Sequence, residues 1–163
     1  MSRLPSLGPR GEGWLAAQLF LILVVAKAPE IDPWRPTFAG GTAILLGLVG
    51  SILSALGVAV AFGAALQLLR RRSFSALPQP RDDGGLVDTG LYARVRHPIY
   101  SGIALGGLGW AIARGSPLAL GADVALVAIL YLKAAREEEL LIGRYPAYEA
   151  YRARTKRLIP GIL

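Results

Sequence analysis

An uncharged stretch of 32 residues, from position 38 to position 69, constrains the fold of this chain more than any other feature. As a helix it would be about 48 Å long, whereas the hydrocarbon core of a bilayer is about 30 Å thick. Gly47, Gly50 and Gly57 offer points at which such a helix can break into two spans. Because no polar turn interrupts the stretch, we expect one long, tilted membrane-spanning helix.

Two shorter apolar stretches predict further spans on either side of the long one. Residues 14–26, with flanks to residue 28, form a short first span, and residues 98–113 form the third. Arg3 and Arg10 precede the first stretch, as in a signal peptide. No small-residue cleavage site follows it, so we expect this span to be retained.

The fourth predicted span begins at a tight turn. Ser116 is a candidate N-cap, and Pro117 is a candidate first helical residue. The sequence stays apolar to about residue 132 and continues without a helix breaker to Gly143. We therefore expect this helix to project from the membrane and to carry its charges there.

Polar segments connect the predicted spans. Residues 27–36 and 70–83 contain prolines and acidic residues, which end helices and prefer water. Residues 146–157 interleave tyrosines with basic residues, which suits a short helix at the membrane interface. The sequence thus predicts an all-α integral membrane protein with about four transmembrane helices, or five if the long span breaks, and a short C-terminal interfacial helix. We expect one domain, with two spans in residues 1–72 and the remainder in residues 73–163.

Composition narrows the classes of function. Hydrophobic residues make up 53% of the chain and the mean hydropathy is +0.46, above the values of ordinary soluble domains. The formal net charge is +7, but the basic residues cluster beside apolar runs rather than along one polar face, which argues against a nucleic-acid partner. The chain has no cysteine and a single histidine, which excludes disulfides and a cysteine nucleophile and predicts no metal site.

The distribution of positive charge predicts the orientation in the membrane. Arginines at 70–72, Arg94, Arg96 and the basic C-terminal tail all lie on one side if four spans alternate. By the positive-inside rule this side is cytoplasmic, together with both termini. High usage of alanine, glycine, leucine and arginine indicates a GC-rich bacterial genome, so we expect the protein in a bacterial inner membrane.

Three polar clusters fall on the predicted cytoplasmic side: residues 86–92, residues 96–100 and the acidic run at 137–139. Ionisable residues at a membrane boundary are costly to desolvate, so their concentration indicates a site. Taken singly, each cluster has a simpler interpretation. Arg96 and His97 can anchor a span at the interface, and the acidic run can be a solvated helix face.

Together the clusters form a more specific pattern. The motif RHPxY at 96–100, followed about 40 residues later by a pair of glutamates, resembles the isoprenylcysteine carboxyl methyltransferase and phospholipid methyltransferase families. The similarity extends to LVDTGLY at 86–92, YPAYEAY at 145–151 and RLIP at 157–160, and so covers about the last half of the chain. The combined pattern is specific for the superfamily but does not identify the acceptor.

The resemblance implies a membrane methyltransferase whose cofactor, S-adenosylmethionine, is bound by a loop and the two helix ends that flank it. The implied cofactor contacts are Leu86, Val87, Tyr92, His97, Pro98, Ile99, Tyr100, Glu137 and Glu138. Glu137 can accept hydrogen bonds from the cofactor's ammonium or ribose hydroxyls, while His97 and Tyr100 can donate to its carboxylate. Backbone groups of Leu86 and Val87 can read the edges of adenine.

The resemblance also implies a lipid-like or isoprenylcysteine-like acceptor that is methylated on a carboxylate oxygen. The family holds this carboxylate with an arginine four residues before the cofactor glutamate, and the matching residue here is Lys133, which lacks arginine's bidentate fork. Lys133 lies one helical turn from Glu137, so both face the same way, whereas Arg136 points elsewhere around the helix. Lys133 and Arg96 are therefore the candidate catalytic cations.

The bilayer is the expected source of the acceptor. Its apolar tail is expected to enter between helices that are thinned by Gly102, Gly106 and Gly107. Asp123 lies within the fourth span, and we do not assign it to the site. It is near enough to the outer end of that span to reach water or to pair with Arg114. Glu139 is an additional acid, and the sequence does not define its role.

Other functions stay open at this point. An amine acceptor, as in phospholipid N-methylation, needs a base to remove a proton, for which Glu138 or His97 are candidates. Sterol reductases resemble the superfamily in their C-terminal part, but they use a nicotinamide cofactor and are much longer proteins. A non-catalytic membrane scaffold is the third class.

Overall fold

The computed structural model describes residues 4–29, 40–79 and 85–162. Five α-helices and one 3-10 turn make up most of this part of the chain. They are α1 (Glu12–Lys27), α2 (Gly41–Arg70), the 3-10 turn (Gly90–Ala93), α3 (Pro98–Arg114), α4 (Pro117–Arg144) and α5 (Tyr148–Arg154). The only strand-like feature in these ranges is a parallel bridge of one residue pair, Val95 with Lys156. The predicted all-α class is confirmed.

The long second span is one unbroken helix. α2 runs for 30 residues without interruption at any of its glycines, as the absence of a polar turn predicts. Residues 38–39, at the start of the predicted span, and most of the predicted connector at 27–36 lie outside the described residues. Most large side chains of α2 are exposed, which is unfavourable in water and expected of a helix that faces lipid.

Two helices of the described part are long and apolar enough to cross a membrane by themselves. They are α2, with a mean hydropathy of 2.4 over its most apolar window, and α4, with 1.9. α1 and α3 have 16 and 17 residues, which corresponds to about 24–26 Å. They pack beside the longer helices. The count of four spans stays a prediction.

The turn between α3 and α4 has the predicted chemistry. Ser116 caps α4, since its Oγ accepts a hydrogen bond from the Ala119 amide at 3.2 Å, and Pro117 is the first helical residue. The same hydroxyl donates to the Pro29 carbonyl at 2.9 Å, which ties the end of α1 to this turn. Gly115 ends α3 with φ 57°, in the left-handed region that favours glycine. α4 then continues unbroken past residue 132 to Arg144, as predicted.

Glycines on both helices allow the backbones of α2 and α3 to pack in direct contact, an interface called the glycine seam here. A Cβ atom added to Gly57 would lie 2.3 Å from the Gly106 amide nitrogen, and one added to Gly102 would lie 2.5 Å from the Ala61 nitrogen. On another face of α3, a Cβ on Gly107 would collide with the carboxylate of Asp123. The predicted route for an acceptor tail between these glycines is therefore wrong, because neighbouring helices already fill the space that the missing side chains leave.

The remaining helices leave an opening at one end of the bundle. α1 packs along α4, whereas α1 and α2 make no extended contact with each other in the described residues. α4 presents Leu126, Leu130 and Ala134 at four-residue spacing to the core, which also includes Tyr100 and Leu158. The N-terminal part of α1 and the C-terminal part of α2 are thus not packed against each other.

Candidate active site

A cavity of about 460 Å³, here called the main cavity, lies at this open end of the bundle. The start of α1, the end of α2, the start of α3 and the second half of α4 contribute to its walls. Nine of the eleven predicted site residues line it: Leu86, Val87, Tyr92, Arg96, His97, Ile99, Tyr100, Lys133 and Glu137. The structure thus brings a loop and two distant helix ends to one place. The other two, Pro98 and Glu138, are buried beside it.

Glu137 faces the main cavity with its carboxylate fixed by α3. The Tyr100 hydroxyl donates to Oε1 of Glu137, and His97 Nδ1 lies 3.4 Å from Oε2. The rings of His97 and Tyr100 are stacked, with their centroids 5.3 Å apart. In this arrangement the histidine and the tyrosine position the acid, whereas the sequence predicted direct contacts of both with the cofactor carboxylate.

His97 lies between two carboxylates. Its Nε2 is 3.4 Å from Oε1 of Glu138, on the other side from Glu137. Burial opposes protonation of the imidazole, but the two glutamates outweigh it and raise the pKa of His97 above its usual value. The imidazolium form is therefore stabilised, and His97 is a poor candidate for a general base near neutral pH.

Glu138 serves a different purpose from its neighbour. Its carboxylate binds Arg96 Nε at 2.8 Å, Arg157 Nε at 3.0 Å and Arg157 Nη2 at 2.8 Å, with Arg152 Nε at 4.0 Å. These three arginines are called the arginine cluster below. Consecutive residues of a helix point about 100° apart, so Glu138 turns away from the main cavity when Glu137 faces it. The structure thus places the predicted cofactor contact of Glu138 in an ion-pair network.

Arg96 connects the site to the C-terminal tail. Besides Glu138, its guanidinium donates to the backbone carbonyls of Arg152 and Thr155. Its amide donates to the Lys156 carbonyl at 2.8 Å, and the His97 amide donates to the Arg157 carbonyl at 3.1 Å. Arg96 lines the main cavity, but these partners occupy its guanidinium, so the contacts favour an anchor over the predicted catalytic cation.

Lys133 is buried, with 1% of its surface exposed, and lines the main cavity. Its Nζ donates to Oε1 of Gln18 at 2.8 Å and to the Ala76 carbonyl at 2.9 Å, and lies 5.2 Å from the centroid of the Tyr100 ring. Both partners are neutral, so the positive charge of the ammonium is solvated but not neutralised by them. Arg136, as predicted, points elsewhere and pairs with Glu139 at 3.1 Å, which gives that acid a surface partner.

Several functional residues escaped the sequence analysis. Gln18 is a polar residue within the apolar stretch of α1, and this was the one signal that pointed to it. The segment at 73–78 forms part of the cavity wall, where Ser73 Oγ donates to the Gly85 carbonyl at 2.9 Å and accepts from its amide at 3.1 Å. Tyr148 of α5 lines the cavity, and its buried hydroxyl lacks a hydrogen-bond partner among the described residues.

The main cavity suits a nucleoside-sized ligand with charged groups. Its volume lies in the range of about 300–1,000 Å³ that is typical of small-molecule sites. The Glu137 carboxylate offers acceptors for an ammonium or for ribose hydroxyls, and the unpartnered Tyr148 hydroxyl offers a donor. The remaining wall is mostly apolar and includes Leu15 and Leu19 of α1 and Ala61 and Ala65 of α2. The residues present therefore fit S-adenosylmethionine.

Comparisons with known proteins agree with this class of site. The family model of phospholipid methyltransferases matches residues 45–147. The chain belongs to this family of membrane methyltransferases, which confirms the resemblance inferred from the motifs. The match includes α3, the RHPxY motif and the glutamate pair of α4.

A curated relative is similar over most of this chain. The nickel-cobalt-cadmium resistance protein NccN of Alcaligenes xylosoxydans xylosoxydans is 27% identical over 145 residues, which cover 86% of this chain and 61% of the relative. The chain thus spans about three fifths of the length of that protein. Within the described ranges, no three histidine, cysteine, aspartate or glutamate side chains are grouped so that they could hold a metal ion.

Proposed function

We propose that this protein transfers a methyl group from S-adenosylmethionine to the carboxylate of an apolar, lipid-like acceptor. The observation that carries the proposal is the main cavity, which joins an acid positioned for the cofactor, a buried cation and an apolar wall. The family match supports methyl transfer as the reaction class. When bound, the cofactor supplies an electrophilic methyl group on a sulfonium.

Glu137 supports the cofactor end of this proposal. Its carboxylate is held by Tyr100 and His97 and still faces the cavity, with 14% of its side chain exposed. A fixed carboxylate can bind the cofactor ammonium or its ribose hydroxyls at little entropic cost, because its rotamer is already set. Leu86 and Val87 line the same cavity, and we assign the adenine ring of the cofactor to this part of the wall.

Lys133 supports a carboxylate as the reacting group of the acceptor. An ammonium has three donors, and the structure gives Nζ two neutral partners, Gln18 and the Ala76 carbonyl. The third donor remains for an anion in the cavity, although the nearby Glu137 carboxylate offsets part of the positive charge. In the reaction a carboxylate oxygen forms a bond to the methyl carbon while the carbon–sulfur bond breaks and its electron pair stays on sulfur. No proton moves, so no base is needed.

The same geometry disfavours an amine acceptor. N-methylation requires a base, and the two candidates from the sequence are His97 and Glu138. The pKa of His97 is raised by its carboxylate neighbours, and Glu138 is engaged by the arginine cluster and does not line the cavity.

The bilayer remains the proposed source of the acceptor, by a route other than the glycine seam. α1 and α2 both line the main cavity with apolar residues, yet they make no extended contact with each other within the described ranges. An apolar tail in the membrane can lie between them while its carboxylate reaches Lys133. We place the cavity on the cytoplasmic side of a bacterial inner membrane, with both termini there, because Arg70, Arg71 and Arg94 lie at the same end of the bundle.

The test is transfer of labelled methyl groups by the purified protein in lipid nanodiscs. We expect base-labile label, as in a methyl ester, on a prenylated cysteine or a long-chain fatty acid, and none on phosphatidylethanolamine. Lys133→Ala should lower turnover roughly a hundredfold, since a charge-stabilising group in a dry site has an effect of this order, while changing cofactor affinity less than about twofold.

The exposed Lys27 at the end of α1 provides a matched control, and Lys27→Ala should retain full turnover. Label that appears only on the amine of phosphatidylethanolamine would contradict carboxylate methylation. Equal turnover of Lys133→Ala and the unmodified protein would show that Lys133 does not hold the acceptor.

A further inference from the structure

A second cavity, of about 370 Å³, lies at the C-terminal tail and is called the basic recess here. It is lined by residues 152–157, by Arg96 and Tyr131, and by Ile162. Arg96 is the one lining residue that it shares with the main cavity. The basic recess is therefore distinct from the proposed cofactor and acceptor site.

Positive charge dominates the basic recess. Its cationic lining side chains are Arg96, Arg152, Arg154, Lys156 and Arg157. Two carboxylates of the described residues reach them: Glu138 pairs with the arginine cluster, and Asp88 pairs with Arg154. Five cations against two carboxylates leave an excess of three positive charges, so the recess attracts an anion.

The backbone of the basic recess is fixed, whereas two of its arginine side chains are exposed. The bridge between Val95 and Lys156 fixes the backbone of the tail, and the Arg157 guanidinium lies 4.6 Å from the centroid of the Tyr131 ring. By contrast, the side chains of Arg152 and Arg154 are 50% and 60% exposed, so they can reach a ligand at the mouth. A fixed backbone lowers the entropic cost of closing two cations on one anion.

The position of the recess favours a lipid headgroup as the anion. Tyr131 lies on α4 just before residue 132, where the apolar part of the helix ends. Ile159 and Ile162 are exposed apolar residues of the same tail, of the kind that dip into a bilayer surface. Basic pockets at the cytoplasmic ends of membrane helices are typical binding sites for anionic headgroups.

We propose that the basic recess binds the phosphate of an anionic phospholipid of the surrounding membrane. The binding holds the tail and α5 against the bilayer surface. It requires no methyl transfer, so it stands or falls independently of the proposed function.

The test is lipid binding by the delipidated full-length protein in detergent, measured by native mass spectrometry. Phosphatidylglycerol should bind at least about tenfold more tightly than phosphatidylcholine. The double variant Arg152→Gln/Lys156→Gln should weaken phosphatidylglycerol binding about tenfold or more, since each cation near a membrane surface contributes roughly fivefold.

The matched control is Arg70→Gln/Arg71→Gln, which removes the same charge from the same end of the bundle and should change the affinity less than about twofold. Equal losses in the two double variants would overturn the proposal in favour of general electrostatic attraction. Displacement of the lipid by inorganic phosphate at equal concentration would overturn it in favour of a soluble anion. An unchanged thermal unfolding midpoint of both variants shows that they are folded.

Discussion

Two consecutive glutamates of α4, Glu137 and Glu138, point in different directions around the helix and have different partners. Glu137 receives a hydrogen bond from Tyr100, contacts His97 and faces the main cavity. Glu138 is almost fully buried and is bound by the arginine cluster. The comparison teaches that two neighbouring acids of one motif can have different roles, one in an ion-pair network of the fold and the other at the wall of a cavity.

The largest expected effect is the loss of stability on replacing Glu138, the acid in the ion-pair network. Glu138→Gln leaves the partly buried guanidiniums of Arg96 and Arg157 without their counter-charge, which should lower the free energy of unfolding by about 3 kcal/mol. Equilibrium unfolding in detergent measures this value. In the control Glu139→Gln, which removes an acid paired on the surface with Arg136, the loss should be about 0.5 kcal/mol or less. Similar losses for both variants would mean that the arginine cluster does not depend on Glu138.

A smaller effect is expected on the Glu137 side. Tyr100→Phe removes the hydroxyl that positions the acid, and should lower the free energy of unfolding by about 1–2 kcal/mol and weaken cofactor binding several-fold. Tyr131→Phe is the matched control on α4, since the ring that Arg157 contacts is kept. If Tyr100→Phe binds S-adenosylhomocysteine as well as the unmodified protein does, Tyr100 does not position Glu137 for the cofactor.

The smallest effect depends on pH and involves both acids, because His97 lies between them. Its folded pKa is raised above the usual value, so protonation of His97 stabilises the fold fully below about pH 6.5, and this contribution is lost as the pH rises through the raised pKa. The thermal unfolding midpoint should therefore fall between pH 6 and pH 9 by more than it does in His97→Gln. His97 is the single histidine of the chain, so the difference between the two curves isolates it. Parallel curves would refute the raised pKa.

The helices were predictable because their signals are local. The uncharged run predicted α2, and Ser116 with Pro117 predicted the N-cap and the first residue of α4. The sequence of a helix does not show which of its faces a neighbouring helix packs against. Gly102 and Gly106 were therefore assigned to a route for the acceptor, although α2 packs on them.

The sequence predicted which segments of the chain come together at the site, but not all of the contacts between them. The family resemblance implied that Glu137 and Lys133 belong to the site, and their spacing predicted that both share one helix face; both line the main cavity. The partners of Arg96 were not predictable, because they come from backbone carbonyls of the tail, which carry no sequence signal. Gln18 escaped for a related reason: its partner Lys133 lies 115 residues away, and only the fold brings the two together.

The most direct test of the central claim is calorimetric titration of S-adenosylhomocysteine into the protein in detergent. The account predicts binding in the micromolar range, a loss of at least about tenfold in Glu137→Gln because a charge-assisted hydrogen bond is removed, and unchanged affinity in Glu139→Gln. Absence of binding to the unmodified protein, or equal affinity of Glu137→Gln, would contradict the assignment of the main cavity as a cofactor site positioned by Glu137.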